Sequence, residues 1–398
     1  MEGMIMFSFL IVIIYLAFIS LGLPDSLLGA AWPVMQPQLD VPMSYAGIVT
    51  IIISGGTIIS SLASDRLTRR LGAGLVTSIS VLMTAIALFG FSLSNSFILL
   101  CIWAIPYGLG AGAVDAALNN YVALHYKSRH MSWLHCFWGV GAAISPYIMS
   151  GCLTGGLGWQ SGYRTVGIIQ IVLTAVLFIS LPMWKKHTDI GDDAGENDSK
   201  PIGIVGAIKI KGVITALITF FAYCAFEQTA GLWASSYLVQ YRGIDVTSAA
   251  QFASLFYLGI TFGRFLCGFV ADIIGDKSLV RVGIGVATLG AIMIALPLGV
   301  DMLPLIGLVV AGFGCAPVFP AIIHSTPTNF GKEYSQAIIG IQMASAYMGM
   351  TFMPPVFGFI ASHIGIWFYP LYLLIFSALM IAASELMNRL TANNAANG

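Results

Sequence analysis

Apolar runs of the length a helix needs to cross about 30 Å of hydrocarbon, roughly twenty residues, recur twelve times along the chain. Short Gly, Pro or charged breaks separate them. They predict helices over approximately 5–34, 44–64, 73–93, 98–124, 132–154, 163–184, 210–238, 247–272, 279–299, 302–324, 334–361 and 364–388. No basic stretch precedes the first run, and its apolar core exceeds the about 7–15 residues of a signal peptide, so it reads as a retained span. Between the sixth and seventh runs, Lys185 to Lys211 encloses Asp189, Asp192, Asp193, Glu196 and Asp198 with little to bury, as a flexible linker does. The predicted organisation is an N-terminal six-helix bundle over 1–184, a cytoplasmic linker over 185–209 and a C-terminal six-helix bundle over 210–398.

Of the 398 residues 58% are apolar and 9% charged, against roughly 25% charged in an ordinary soluble domain. The chain is therefore expected in a bilayer. Seventeen Lys and Arg balance seventeen Asp and Glu, which leaves no basic surface for nucleic acid. With a cytoplasmic N-terminus, fourteen of the basic residues fall on the inner side, only Arg164 and Arg242 fall outside, and Arg264 lies within a span. That asymmetry predicts both termini in the cytoplasm, and the protein is expected to be an integral multi-pass protein of the plasma membrane. The six cysteines sit in apolar stretches with no CxxC and no His at ligand spacing, and so read as small core residues. No nucleophile and base pair, metal spacing or phosphate loop points to an enzyme or a cofactor. A coupling ion, a proton or alternatively sodium, is expected in its place.

The two halves echo each other. Asp65 after the second span and Asp272 after the eighth are 207 positions apart, and Gly141 and Pro146 answer Gly349 and Pro354 at an offset of 208. Such repeats predict two pseudo-symmetric six-helix bundles, the build by which carriers open one midplane site to either side.

The segment Ser61-Leu-Ala-Ser-Asp65-Arg66-Leu-Thr-Arg69-Arg70 resembles the loop signature G-x-L-a-D-R-x-G-R-R of the major facilitator superfamily. The resemblance covers essentially the whole chain. It implies an all-α membrane fold of twelve transmembrane helices, small-molecule transport by alternating access, and function as a monomer. Ser61 and Thr68 stand where the family has glycine, which implies looser helix packing there. The runs Gly110 to Asn120 and Leu134 to Gly141 look like the fucose permease-like sugar:proton symporters, whose acids on spans 1 and 4 correspond to Asp25 and Asp115. Glu227 on span 7 has no clear counterpart in that pattern.

The residues also support a reading of their own. Asp65 ends a helix whose dipole disfavours an anion there, so a neighbouring helix N-terminus together with Arg66, Arg69 and Arg70 would hold it as a cytoplasmic latch. Asp272 would do the same in the second half, and Arg264 would pair with an acid. The plainer alternative is that these charges only fix topology.

Asp25, Asp115 and Glu227 lie inside spans, where a carboxylate costs about 2.5–3.5 kcal/mol. Burial disfavours the charged form, so these acids are candidate proton carriers, with His135 as a possible exchange partner. Asp115 would share a helix face with Asn119, one turn on. Asp25 follows Pro24, which should make span 1 irregular.

Asn119, Asn120, Trp138, Gln228, Tyr223, Gln342, Tyr347 and Trp32 form the candidate substrate lining, amides and aromatics suited to a polyhydroxyl ligand. Polar residues also serve as interhelical glue and tryptophans as interfacial anchors. Asp115 could be a packing residue, and His135 could bond only water or a carbonyl. The expected function is proton-coupled symport of a sugar or related polyol. The alternatives are a proton-coupled antiporter exporting drugs or amphipathic metabolites, and a non-transporting sensor on the same scaffold.

Overall fold

The computed structural model of the chain describes residues 2–191, 202–297 and 302–392. Among them there are helices and no strand, as expected where each backbone N–H and C=O must be satisfied without water. The helices are α1 (Glu2–Asp25), α2 (Leu27–Gln38), α3 (Tyr45–Leu71), α4 (Ala73–Leu93), α5 (Phe97–His125), α6 (Ser128–Thr154), α7 (Gly158–Gly191) and α8 (Gly203–Lys209). They continue with α9 (Val213–Gln240), α10 (Val246–Ile274), α11 (Asp276–Ala295), α12 (Met302–Cys315), α13 (Val318–His324), α14 (Thr326–Phe330), α15 (Lys332–His363) and α16 (Tyr369–Thr391).

Among the described residues, eleven helical stretches are long and apolar enough to cross a membrane. The remaining span, the eleventh in chain order, is α15, long enough at 32 residues but not among those eleven stretches. The first span is two helices, α1 and α2, broken at Ser26 just after Pro24 and Asp25. The tenth is likewise broken between α12 and α13 around Pro317. A short helix, α8, stands inside the stretch expected to be only linker, and residues 192–201 of that linker lie outside the described residues.

Two compact units result, Met1–Tyr121 with Leu134–Pro201, and Val122–Trp133 with Ile202–Gly398. The first unit packs Trp32, Phe91, Tyr107, Met149, Trp159 and Tyr163 into one apolar core. Gln170 of α7 stitches three helices together, accepting from Thr84 Oγ1 of α4 at 2.6 Å and donating to the Ser20 carbonyl of α1 at 2.8 Å. Backbones meet closely where glycine permits. A Cβ on Gly141 of α6 would stand 2.1 Å from the Ile19 carbonyl oxygen of α1, and one on Gly112 of α5 would stand 2.1 Å from the Thr57 carbonyl oxygen of α3.

That second approach corrects the expectation of loose packing at Ser61. The glycine sits on the facing helix, and Ser61, fully buried, donates to the Gly112 carbonyl at 3.2 Å.

In the second unit Arg242 closes the carboxyl end of α11, Nη2 donating to the Ile294 and Leu296 carbonyls at 2.7 Å each, where a cation suits the helix dipole. Arg281 of α11 grips Glu385 of α16 with two bonds of 2.5 and 2.8 Å. The turn joining α5 to α6 belongs to this unit as well. Asp272, at the end of α10, accepts the Arg129 backbone N–H at 3.1 Å and pairs with its Nε at 2.8 Å, so an anion sits at the amino end of α6. Asp276 accepts from Ser128 Oγ at 2.5 Å, and His324 spans from Asp276 (2.7 Å) to the Tyr126 carbonyl (3.1 Å). Asp65 is held differently, by Arg69 one turn on at 2.8 Å.

Two outcomes test this architecture. Gly141→Val drives side-chain carbons into the α1 backbone, and overpacking of about 1–3 kcal/mol lowers the melting temperature in detergent by several degrees. Gly55→Ala, where nothing lies within 4 Å, leaves it unchanged. Asp272→Asn removes the helix-end charge, worth about 0.3–1 kcal/mol, so amide exchange of residues 126–131 accelerates several-fold while α4 is unaffected.

Candidate functional site

In the first unit the break after α1 presents Asp25 at a helix end, with exposed surface and yet a donor on each oxygen. Tyr107 Oη of α5 donates to Oδ1 at 2.9 Å and Trp138 Nε1 of α6 donates to Oδ2 at 3.0 Å. The geometry is one a carboxylate suits, since both partners donate. It also uses an aromatic ring from each of two helices, so the acid stands in a half-aromatic frame.

One turn before Trp138 on α6 lies His135, 6% exposed, with the Phe18 ring edge-on at 5.4 Å. His135 Nε2 meets Asn119 Oδ1 at 3.0 Å, and Asn119 Nδ2 donates to Asp115 Oδ1 at 2.8 Å and to the Asp115 carbonyl at 3.0 Å. Asn119 is fully buried. Its amide hydrogens and its oxygen are all engaged, so it links Asp115 to His135 across α5 and α6. Its amide nitrogen faces Asp115 and its oxygen faces His135, so the two neighbours meet opposite ends of one group.

In the second unit Tyr223 and Glu227, one turn apart on α9, meet Arg264 of α10. Tyr223 Oη is hydrogen-bonded to Glu227 Oε2 and donates to the Cys315 carbonyl at 3.0 Å where α12 ends. Arg264 Nη2 lies 3.4 Å from Tyr223 Oη and 3.6 Å from Glu227 Oε2. Arg264 is 4% exposed and Glu227 9%. Gly231, the next step on the α9 face, makes room for Tyr257, whose hydroxyl would stand 2.1 Å from a Cβ there.

The other expected lining residues divide. Gln228 and Tyr347 are half-buried, and Asn120 is buried on α5. Gln342 of α15 is 1% exposed; its oxygen accepts from Thr326 Oγ1 at 3.0 Å while its Nε2 is buried without a partner. Trp32 is 3% exposed in the first unit's core, where its indole N–H holds the Met43 carbonyl at 2.9 Å. Its ring is therefore spent on the turn between α2 and α3. Arg66 and Arg70 lie at the exposed end of α3.

Sequence reasoning did not find Tyr107, the Cys315 carbonyl, Tyr257, or the partnerships of Arg129 with Asp272 and of His324 with Asp276. Each meets its partner across tens of residues or more, so no local periodicity marks it. Broken spans beside Pro24 and Pro317 are the one local signal.

The sequence profile of the Major Facilitator Superfamily matches residues 14–335. Bypass of stop codon protein 6 of Saccharomyces cerevisiae is 22% identical over 91% of this chain and 79% of its own length. The hexuronate transporter of Bacillus subtilis is 24% identical over 67% of this chain and 65% of its own. Among solved structures, the proton:xylose symporter XylE bound to 6-bromo-6-deoxy-D-glucose superposes with a TM-score of 0.79 at 13% identity, covering 97% and 96% of the two chains. With a twelve-span helical fold and a profile match over most of its length, this chain belongs to the Major Facilitator Superfamily and is a multi-pass membrane transporter of that family.

Proposed function

We propose that the protein is a secondary active symporter that carries a sugar or related polyol with a proton across the plasma membrane, with both termini cytoplasmic and a monomer sufficient. The observation that carries this reading is that two acids, Asp25 of α1 and Asp115 of α5, are both held from α6. Trp138 holds Asp25, and one turn away His135 is tied through Asn119 to Asp115. A titratable acid joined by hydrogen bonds to the element that also frames an aromatic-lined site couples protonation to substrate geometry.

The frame suits a polyol. A carboxylate accepts from hydroxyls, and the faces of Tyr107 and Trp138 offer apolar surface to ring C–H groups. Asn120, Gln228, Tyr223, Gln342 and Tyr347 are the remaining candidate contacts. The solved xylose symporter and the hexuronate-carrying relative bind ligands of this general chemistry, which supports the reading. In this scheme Asp115 takes the proton, and the latch residues Asp65, Arg69 and Asp272 steady the cytoplasmic ends between movements.

Asp115→Asn in proteoliposomes abolishes accumulation driven by an inward proton gradient and preserves exchange at equal concentrations; undiminished concentrative uptake removes Asp115 from the coupling role. Trp138→Phe deletes one donor to Asp25. The half-saturation concentration for uptake rises at least several-fold, while the melting temperature falls by the few degrees that loss of a hydrogen bond to a charged group, about 1.5–3 kcal/mol, entails.

A further inference from the structure

The cluster in the second unit distributes its hydrogens differently with and without a proton on Glu227. A tyrosine hydroxyl has one hydrogen to donate and two lone pairs to accept with. Tyr223 Oη faces three groups: the Cys315 carbonyl, which only accepts; Arg264 Nη2, which only donates; and the Glu227 carboxyl, which does either according to its proton. With Glu227 ionised, two acceptors compete for one hydrogen. With Glu227 protonated, its O–H and the guanidinium N–H fill the two lone pairs of Tyr223, whose own hydrogen goes to Cys315, and every contact is made.

That arrangement leaves Arg264 as a buried cation without a counterion. Its Nε has no hydrogen-bond partner, and only Nη2 is engaged. A guanidinium offers five N–H donors in a planar fork that fits a carboxylate, and a buried charge is tolerated only when paired. The groups facing it are Tyr223, Glu227 and Cys315, none of which is an anion once Glu227 holds its proton.

We infer that Arg264 is an anion-recognition residue, and that the transported polyol carries a carboxylate, as aldonates and uronates do. The substrate carboxylate and Glu227 are alternative partners of the same guanidinium, so loading a proton on Glu227 frees Arg264 for the substrate. A monocarboxylate and a proton then enter together without net charge. This inference rests on the symport reading and narrows its substrate class.

The test uses full-length protein in proteoliposomes with labelled D-gluconate and D-glucuronate against D-glucose and D-glucitol under an inward proton gradient. The acids accumulate at least about tenfold above the neutral compounds; Arg264→Gln abolishes that preference and Arg264→Lys retains part of it. Tryptophan fluorescence of the wild-type protein in detergent supplies a readout free of folding defects. Gluconate quenches it with an apparent Kd that rises by up to about tenfold per pH unit once Glu227 loses its proton, and Glu227→Gln flattens that dependence. Accumulation of glucose or glucitol without the acids, or a pH-independent gluconate Kd in the wild type, overturns the inference and leaves proton symport standing. Gradient-driven uptake of neither class overturns both.

Discussion

Hydrocarbon offers no hydrogen bonds, so every polar group carried into the bilayer must find its partner inside the protein. That constraint organises both units. Ser and Thr hydroxyls turn back to carbonyls one turn earlier, as Thr77 does to Ala73 and Thr288 to Ile284. Amides reach across helices, as Gln170 does between α1 and α4. Indole N–H groups seek out carbonyls, Trp233 taking Pro354 and Trp32 taking Met43. Where this accounting closes, the side chain is structural. At Arg264 Nε, as at a few hydroxyls such as those of Ser145 and Thr229, it leaves a remainder.

The same constraint explains why the acids cluster where helices break. Pro24 and the turn at Ser26 interrupt the first span beside Asp25. In the tenth span, the carbonyl at the end of α12, that of Cys315, is the one Tyr223 takes. A broken helix releases backbone groups that a regular one would consume, and these become local partners for titratable side chains. Asp25 stands beside such a break in its own span, whereas Glu227 reaches one through Tyr223 from a different span.

Much of the fold was legible from the chain. Twelve apolar runs became twelve spans, because hydrocarbon thickness fixes helix length and little else competes. Even the weakest, α15, was findable, since Lys332 and Glu333 cluster at its start and leave a long apolar remainder. The identities of the acids were legible for the opposite reason: a carboxylate amid apolar residues stands out. Their partners were not. Tyr107 lies 82 residues and Trp138 113 residues from Asp25, and nothing in either local sequence encodes that meeting. Asn119 was found for its spacing to Asp115, but its fully engaged amide makes it a link between two titratable residues. Trp32 shows the limit of reading by type alone, since an indole serves a turn, an interface or a ligand equally well.

The turn between α5 and α6 shows what sequence order conceals. It is flanked by helices of the first unit yet is held by Asp272, Asp276 and His324 of the second. Asp272 was singled out as the counterpart of Asp65, but Asp272 lies two residues before the end of α10 and Asp65 six before the end of α3. Their partners differ as well. Asp65 pairs with Arg69 on its own helix, whereas Asp272 receives the amino end and the side chain of Arg129 from a segment 143 residues away. An ion pair within one helix moves with that helix and costs nothing to carry through a conformational change. The pseudo-symmetry of the sequence therefore yields two different contacts from the same residue type, one within a single helix and one between segments 143 residues apart.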